Sequence, residues 1–98
     1  MAEIILKTNE PEKAAGILFQ ALEKESQRIQ YSLSLAIKRL KKFEKKYDVS
    51  SEKFFSEWGA EDLEGQDMEY VEWAGEYKLF IKLNESLAAI KSIENVTQ

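Results

Sequence analysis

The hydrophobic positions of this chain repeat at helical spacing over most of its length, and most densely in Glu69 to Leu83, EYVEWAGEYKLFIKL. There Tyr70, Trp73, Tyr77 and Phe80 recur at steps of three and four, which puts them in one stripe of an α-helix. A second row, Leu79, Leu83, Leu87 and Ile90, lies beside the first, giving an apolar surface wider than that of an ordinary surface helix. Such a surface calls for a cover, either within the chain or from a partner. With Asp67 as its cap, the pattern predicts a helix over 67–94, close to 40 Å long at about 1.5 Å per residue.

The same periodicity runs earlier in the chain. Leu18, Leu22, Ile29, Leu33, Ile37, Leu40 and Tyr47 keep one face, with Ala14, Ala15, Ala21 and Ala36 beside it. Thr8 or Asn9 can cap this segment, and Pro11 suits a first turn that also holds Glu10 and Glu12. Gly16 alone is too weak a breaker to stop it. The prediction is a long helix over 10–47, weakened at Ser26 by the polar run Glu23 to Arg28. Ser50 is a good cap for a short helix over 50–59, whose apolar face is Phe54, Phe55 and Trp58 and whose end is Gly59. Before all of these, Glu3 to Thr8, EIILKT, is a β-branched run closed by Asn9-Glu10-Pro11; it reads as a short strand or an extended arm within 1–9. A lone strand has to pair with a second copy or a partner edge, or lie on the helices.

The expected fold is therefore all-α: a long N-terminal helix, a short middle helix and a long C-terminal helix, with an N-terminal strand or arm. At 98 residues the chain is one domain, 1–98, near the lower size limit for an unaided core. Its 44 % hydrophobic content excludes a disordered chain, and four glycines with one proline argue against an all-β sandwich.

Composition removes much chemistry. The chain has no cysteine and no histidine. Disulfides, thiolate metal sites, Ser/His and Cys/His nucleophile pairs and the commonest general base are thereby excluded. No stretch approaches the roughly 18 apolar residues that span a bilayer. These features predict a soluble, cytoplasmic protein without a cofactor and without membrane attachment.

Charge is segregated. Lys38, Arg39, Lys41, Lys42, Lys45 and Lys46 crowd the end of the long helix, where cations complement its dipole. Nine acids then lie between Glu52 and Glu76 against Lys53 alone. The acidic stretch either answers the basic helix end within the fold or presents a negative, aromatic-rich face to a basic partner. Glu69, Glu72 and Glu76 share adjoining helix surface at a spacing that can hold Mg²⁺ or Mn²⁺, but a helical metal site draws acids from a second helix, and the first offers no matching pair. Solvated helix-face acids are the simpler reading. Three helices cannot easily cover every apolar row, which points to a homodimer or a hetero-oligomer.

Lys46-Tyr47, Ser50-Ser51-Glu52-x-Phe54 and Glu72-Trp73, in the segment from Lys41 to Leu83, resemble the small antitoxins of prokaryotic toxin-antitoxin pairs encoded beside TumE-like or RelE-like toxins. The resemblance covers about half the chain. It implies a non-enzyme that neutralises a cognate toxin, commonly a ribonuclease, by covering its active surface. A toxin that binds RNA is basic, which suits acids and aromatics. The partner-binding residues expected on this basis are Phe54, Trp58, Glu69, Tyr70, Glu72, Trp73, Glu76, Tyr77 and Phe80. Neither a ribbon-helix-helix nor a helix-turn-helix operator-binding pattern is present. The alternative is a homodimeric nucleic-acid-binding regulator that uses the six basic residues Lys38 to Lys46.

Overall fold

The computed structural model describes residues 2–58 and 68–93. It contains three helices, α1 (Pro11–Tyr47), α2 (Ser51–Trp58) and α3 (Met68–Lys91). The all-α, long-short-long architecture is as the sequence predicts. Gly59 and Asp67, expected to end α2 and cap α3, lie outside the described residues, as does Glu94. No helix among the described residues is long and apolar enough to cross a membrane.

Helix α1 runs unbroken through Ser26 for 37 residues. Its cap is Glu10 rather than Asn9 or Thr8, and the Glu10 side chain makes no capping bond. Thr8 contributes from outside: its hydroxyl accepts the Glu10 backbone N–H at 3.0 Å. Pro11 occupies the first helical position, where its missing N–H costs nothing. The helix stops at Asp48, which adopts a left-handed conformation, φ 55°, that a short polar side chain tolerates. Two residues later Ser50 caps α2 as expected, its hydroxyl accepting the Lys53 N–H at 3.1 Å.

Helices α1 and α3 form an antiparallel hairpin, with α2 packed across its closed end. The core lies in two clusters along this hairpin. Near the turn, Leu40, Phe54, Trp73 and Ala74 are buried, with Phe43, Tyr47, Val49, Phe55, Tyr70, Tyr77 and Phe80 packed around them. Further along, Ile29 and Leu33 meet Leu83, with Phe80, Leu87 and Ile90 alongside. The inner face of α1 is thus Ile29, Leu33, Ala36, Leu40 and Phe43. Ile37, expected on that face, is exposed: at 3.6 residues per turn the stripe passes through Ala36 instead, and the small side chain lets α3 approach. Of the second row on α3, Leu83 is buried, Leu87 and Ile90 are half-buried, and Leu79 faces outward.

The hairpin arms are unequal. Helix α1, at about 55 Å, outruns α3, at about 36 Å; the far end of α3 reaches only Phe19 and Leu22, which share a shallow groove with Ile90 and Ile93. The first turns of α1 therefore overhang. The molecule measures 55 × 23 × 20 Å and exposes 8056 Å², whereas a compact monomer of this mass exposes about 5,800 Å². The N-terminal segment 2–8 carries no regular secondary structure and is exposed throughout: of the strand and the arm, the arm is what the isolated chain adopts.

Candidate interaction site

The aromatic stripe of α3 turns inward. Trp73 has no exposed surface. Its indole lies on the Phe54 ring, and the rings of Phe43 and Tyr47, one α1 turn apart, stack on it at 5.5 Å each. The indole N–H donates to the Ser51 hydroxyl at 2.8 Å, and the Ser51 backbone N–H donates to Glu44 Oε2 at 2.8 Å. Three helices are thereby tied at one point. Glu44 satisfies a free N–H at the positive end of α2, and Ser51 satisfies the one polar atom of a buried tryptophan.

Around this point the expected partner-binding residues separate. Phe54 and Trp73 are core. Tyr70, Tyr77 and Phe80 are half-buried and packed against it; Tyr70 meets Tyr47 edge-on at 5.4 Å, and Tyr77 meets Phe55 at 5.1 Å. Trp58 ends α2, and its side chain lies outside the described residues. Of the acids, Glu72 is exposed, and Glu69 and Glu76 are half-buried. Their geometry decides the question of which charges answer which.

Glu69 takes the Lys46 ammonium on both oxygens at 2.7 Å. Two α3 turns on, Glu76 Oε1 accepts from Arg39 at 3.3 Å, while Glu76 Oε2 is buried and has no hydrogen-bond partner among the described residues. Antiparallel packing produces this ladder: residues advancing along α3 meet residues receding along α1. The middle rung, Lys42 and Glu72, forms no ion pair among the described residues; both side chains are exposed and line a groove of about 630 Å³ together with Phe43 and Gly75. Among the described residues no three acids converge to hold a metal ion, and the two outer carboxylates of the Glu69-Glu72-Glu76 set already hold cations. Of the six basic residues at the end of α1, Arg39 and Lys46 serve this ladder, while Lys38, Lys41, Lys42 and Lys45 point outward.

On the side of α3 away from Trp73 a second apolar stripe stands open. Met68 and Val71 are 69 % and 43 % exposed and Leu79 is 40 % exposed. Between them, a methyl group built on Gly75 would meet nothing within 4 Å. The spacing Met68, Val71, Gly75, Leu79 is again three, four, four. This stripe was legible in the sequence but was masked by the larger aromatics beside it. The stripe leaves part of the solvent-facing side of α3 apolar, among the exposed charges Glu72, Lys78 and Lys82.

The chain matches no known protein family, no characterised protein and no solved structure.

Proposed function

We propose that this protein acts by protein-protein contact, as an antitoxin that covers a basic toxin, and that the outer face of α3 is the surface it uses. The observation that carries this reading is the uncovered stripe Met68, Val71, Gly75 and Leu79 bordered by the open carboxylate of Glu72. An apolar strip with exposed Glu72 at one edge and exposed Lys78 and Lys82 at the other suits a partner that is apolar at the centre and places a cation against Glu72. The aromatic stripe then has a supporting role: Trp73, Phe54 and Tyr77 hold α3 rigid so that its other side can be presented without an ordering cost. The likeness to antitoxins in Ser50-Ser51-Glu52-x-Phe54 and Glu72-Trp73 supports the same reading. Of those motif residues, Ser51, Phe54 and Trp73 serve the tie between helices, so the likeness extends to the scaffold that presents the surface.

The experiment is to look for a small basic protein encoded in a neighbouring reading frame and to test its co-purification with this chain; the absence of such a neighbour counts against the reading. Val71→Glu and Leu79→Glu should each weaken capture at least roughly tenfold while leaving the helical circular dichroism unchanged, because both side chains face solvent. If the neighbour binds no better than an unrelated basic protein, the antitoxin reading is lost.

Four lysines facing outward on α1 support a second reading, contact with nucleic acid. Lys38, Lys41, Lys42 and Lys45 would carry it, and a steep salt dependence of binding by the purified chain, flattened by Lys41→Ala with Lys42→Ala, would favour it over partner contact alone.

A further inference from the structure

The end of the molecule farthest from α2 is unfinished. Ile4, Ile5 and Leu6 are 87 %, 76 % and 66 % exposed. Among the described residues, the backbone groups of Ile4 to Lys7 form no backbone hydrogen bond. Just beyond the arm, the overhanging turns of α1 continue the face that packs on α3 lower down: Pro11, Ala14, Ala15 and Leu18 follow at helical spacing, and Leu18 is exposed where α3 no longer covers it. An exposed apolar segment with unpaired backbone groups, beside a helix face that α3 does not cover, is a template for strand pairing and leaves apolar surface to bury.

We infer that the occupant is a second copy of this chain, its arm paired antiparallel with this one about a two-fold axis through Ile5. The order of the side chains selects this arrangement. In an antiparallel pair centred on Ile5, Glu3 faces Lys7 of the second copy, Ile4 faces Leu6, and Lys7 faces Glu3. Both ends of the ribbon therefore carry an opposite-charge pair, and its middle is apolar throughout. Shifting the centre to Ile4 sets Glu3 against Ile5, and centring between Ile4 and Ile5 sets it against Leu6. Parallel in-register pairing stacks Glu3 on Glu3 and Lys7 on Lys7. Only the Ile5 centre is self-complementary in charge and hydropathy, as an isologous contact demands.

The pleat completes the fit. Ile4 and Leu6 project to one side of the strand and Glu3, Ile5 and Lys7 to the other. Two arms thus offer four apolar side chains on one face, beside two α1 faces on which Leu18 is exposed and the small Ala14 and Ala15 permit close approach. A stable interface takes about 800 Å² from each partner, and Ile4, Ile5, Leu6 and Leu18 are exposed apolar side chains that such a contact would bury. This contact uses the opposite end of the molecule from the outer face of α3, and it is measured on the purified chain alone, so its failure and that of partner binding are distinguishable.

Sedimentation velocity of the purified chain should give twice the 11.4 kDa chain mass. Ile5→Lys, which sets two ammonium groups together on the axis, should yield monomers with unchanged helical circular dichroism, since the arm supports no helix. Glu3→Lys should raise the dissociation constant roughly tenfold or more, and adding Lys7→Glu should restore it. The absence of cysteine permits a register test: Ile5→Cys should form a disulfide-linked dimer under mild oxidation far faster than Ser56→Cys on α2. A chain that stays monomeric at every concentration, an Ile5→Lys variant that remains dimeric, or a Glu3→Lys variant that Lys7→Glu does not rescue would each overturn the assignment.

Discussion

The indole of Trp73 lies flat on the ring of Phe54, centroids 3.9 Å apart and planes within 5°, so one residue from α3 and one from an eight-residue helix share their largest faces. A helix as short as α2 has little stability of its own. Its position depends on this stack and on the Trp73 to Ser51 hydrogen bond. Trp73→Ala should therefore cost about 3–5 kcal/mol and unfold the closed end of the hairpin. Ser51→Ala strands a buried indole N–H and should cost about 1–3 kcal/mol with the fold retained. Urea unfolding followed by tryptophan fluorescence measures both.

Gly16 and Gly75 sit inside helices, and a methyl group at either would meet nothing within 4 Å. Each Gly→Ala change should stabilise the isolated chain by about 0.5–1 kcal/mol through reduced freedom of the unfolded backbone and better helix propensity. Thermal melts of the two variants check this. The variants should then diverge in function: Gly75→Ala roughens the outer face of α3 and should weaken partner capture, whereas Gly16→Ala leaves that face untouched.

The two charge rungs differ in depth, with Glu76 22 % exposed and Glu69 37 %. Removing Arg39 leaves the more enclosed carboxylate without its cation, so Arg39→Ala should destabilise by about 1 kcal/mol, a value already reduced for the half-exposed guanidinium. Adding Glu76→Gln should recover most of that loss. Denaturation at low and high salt completes the test, since a rung open to solvent loses strength as salt screens it.

Glu25 and Arg28 form an exposed pair at 2.6 Å. The hydrogen bond from Arg28 holds the Glu25 carboxyl below its ordinary pKa. A lowered folded-state pKa means the contribution is present above the ordinary carboxylate range and fades as acid titrates the group through its folded value. Because both side chains are in solvent, Glu25→Gln should leave the neutral-pH melting temperature nearly unchanged, and the small difference from the parent chain should vanish in acid. Parallel melts across that range check the sign.

Helix order and lengths were legible because periodicity is a local property: Pro11, Ser50 and the three-four spacing each act within a turn or two. Burial is a property of three helices together. Tyr70, Trp73 and Tyr77 have the composition of interface anchors, and only the placement of Ser51, Phe43 and Tyr47 around the indole shows that the stripe is internal. The same holds for charge. The basic run and the acidic run were both evident, but which lysine meets which glutamate depends on the antiparallel register, which passes over Lys42 and Glu72. Ile37 illustrates the limit at finer scale, since an alanine one residue earlier took the inner position that the larger side chain was expected to fill.

The unequal hairpin makes α1 a gauge of its own surroundings. Backbone amides near Leu40 are guarded by two other helices and those near Leu33 by α3, whereas those near Ala15 and Leu18 have only their own helical hydrogen bonds, which open readily in so short a free stretch. Amide exchange along this single helix should therefore rise from the closed end outward, and its slope at the overhang should fall as protein concentration increases and a second chain arrives.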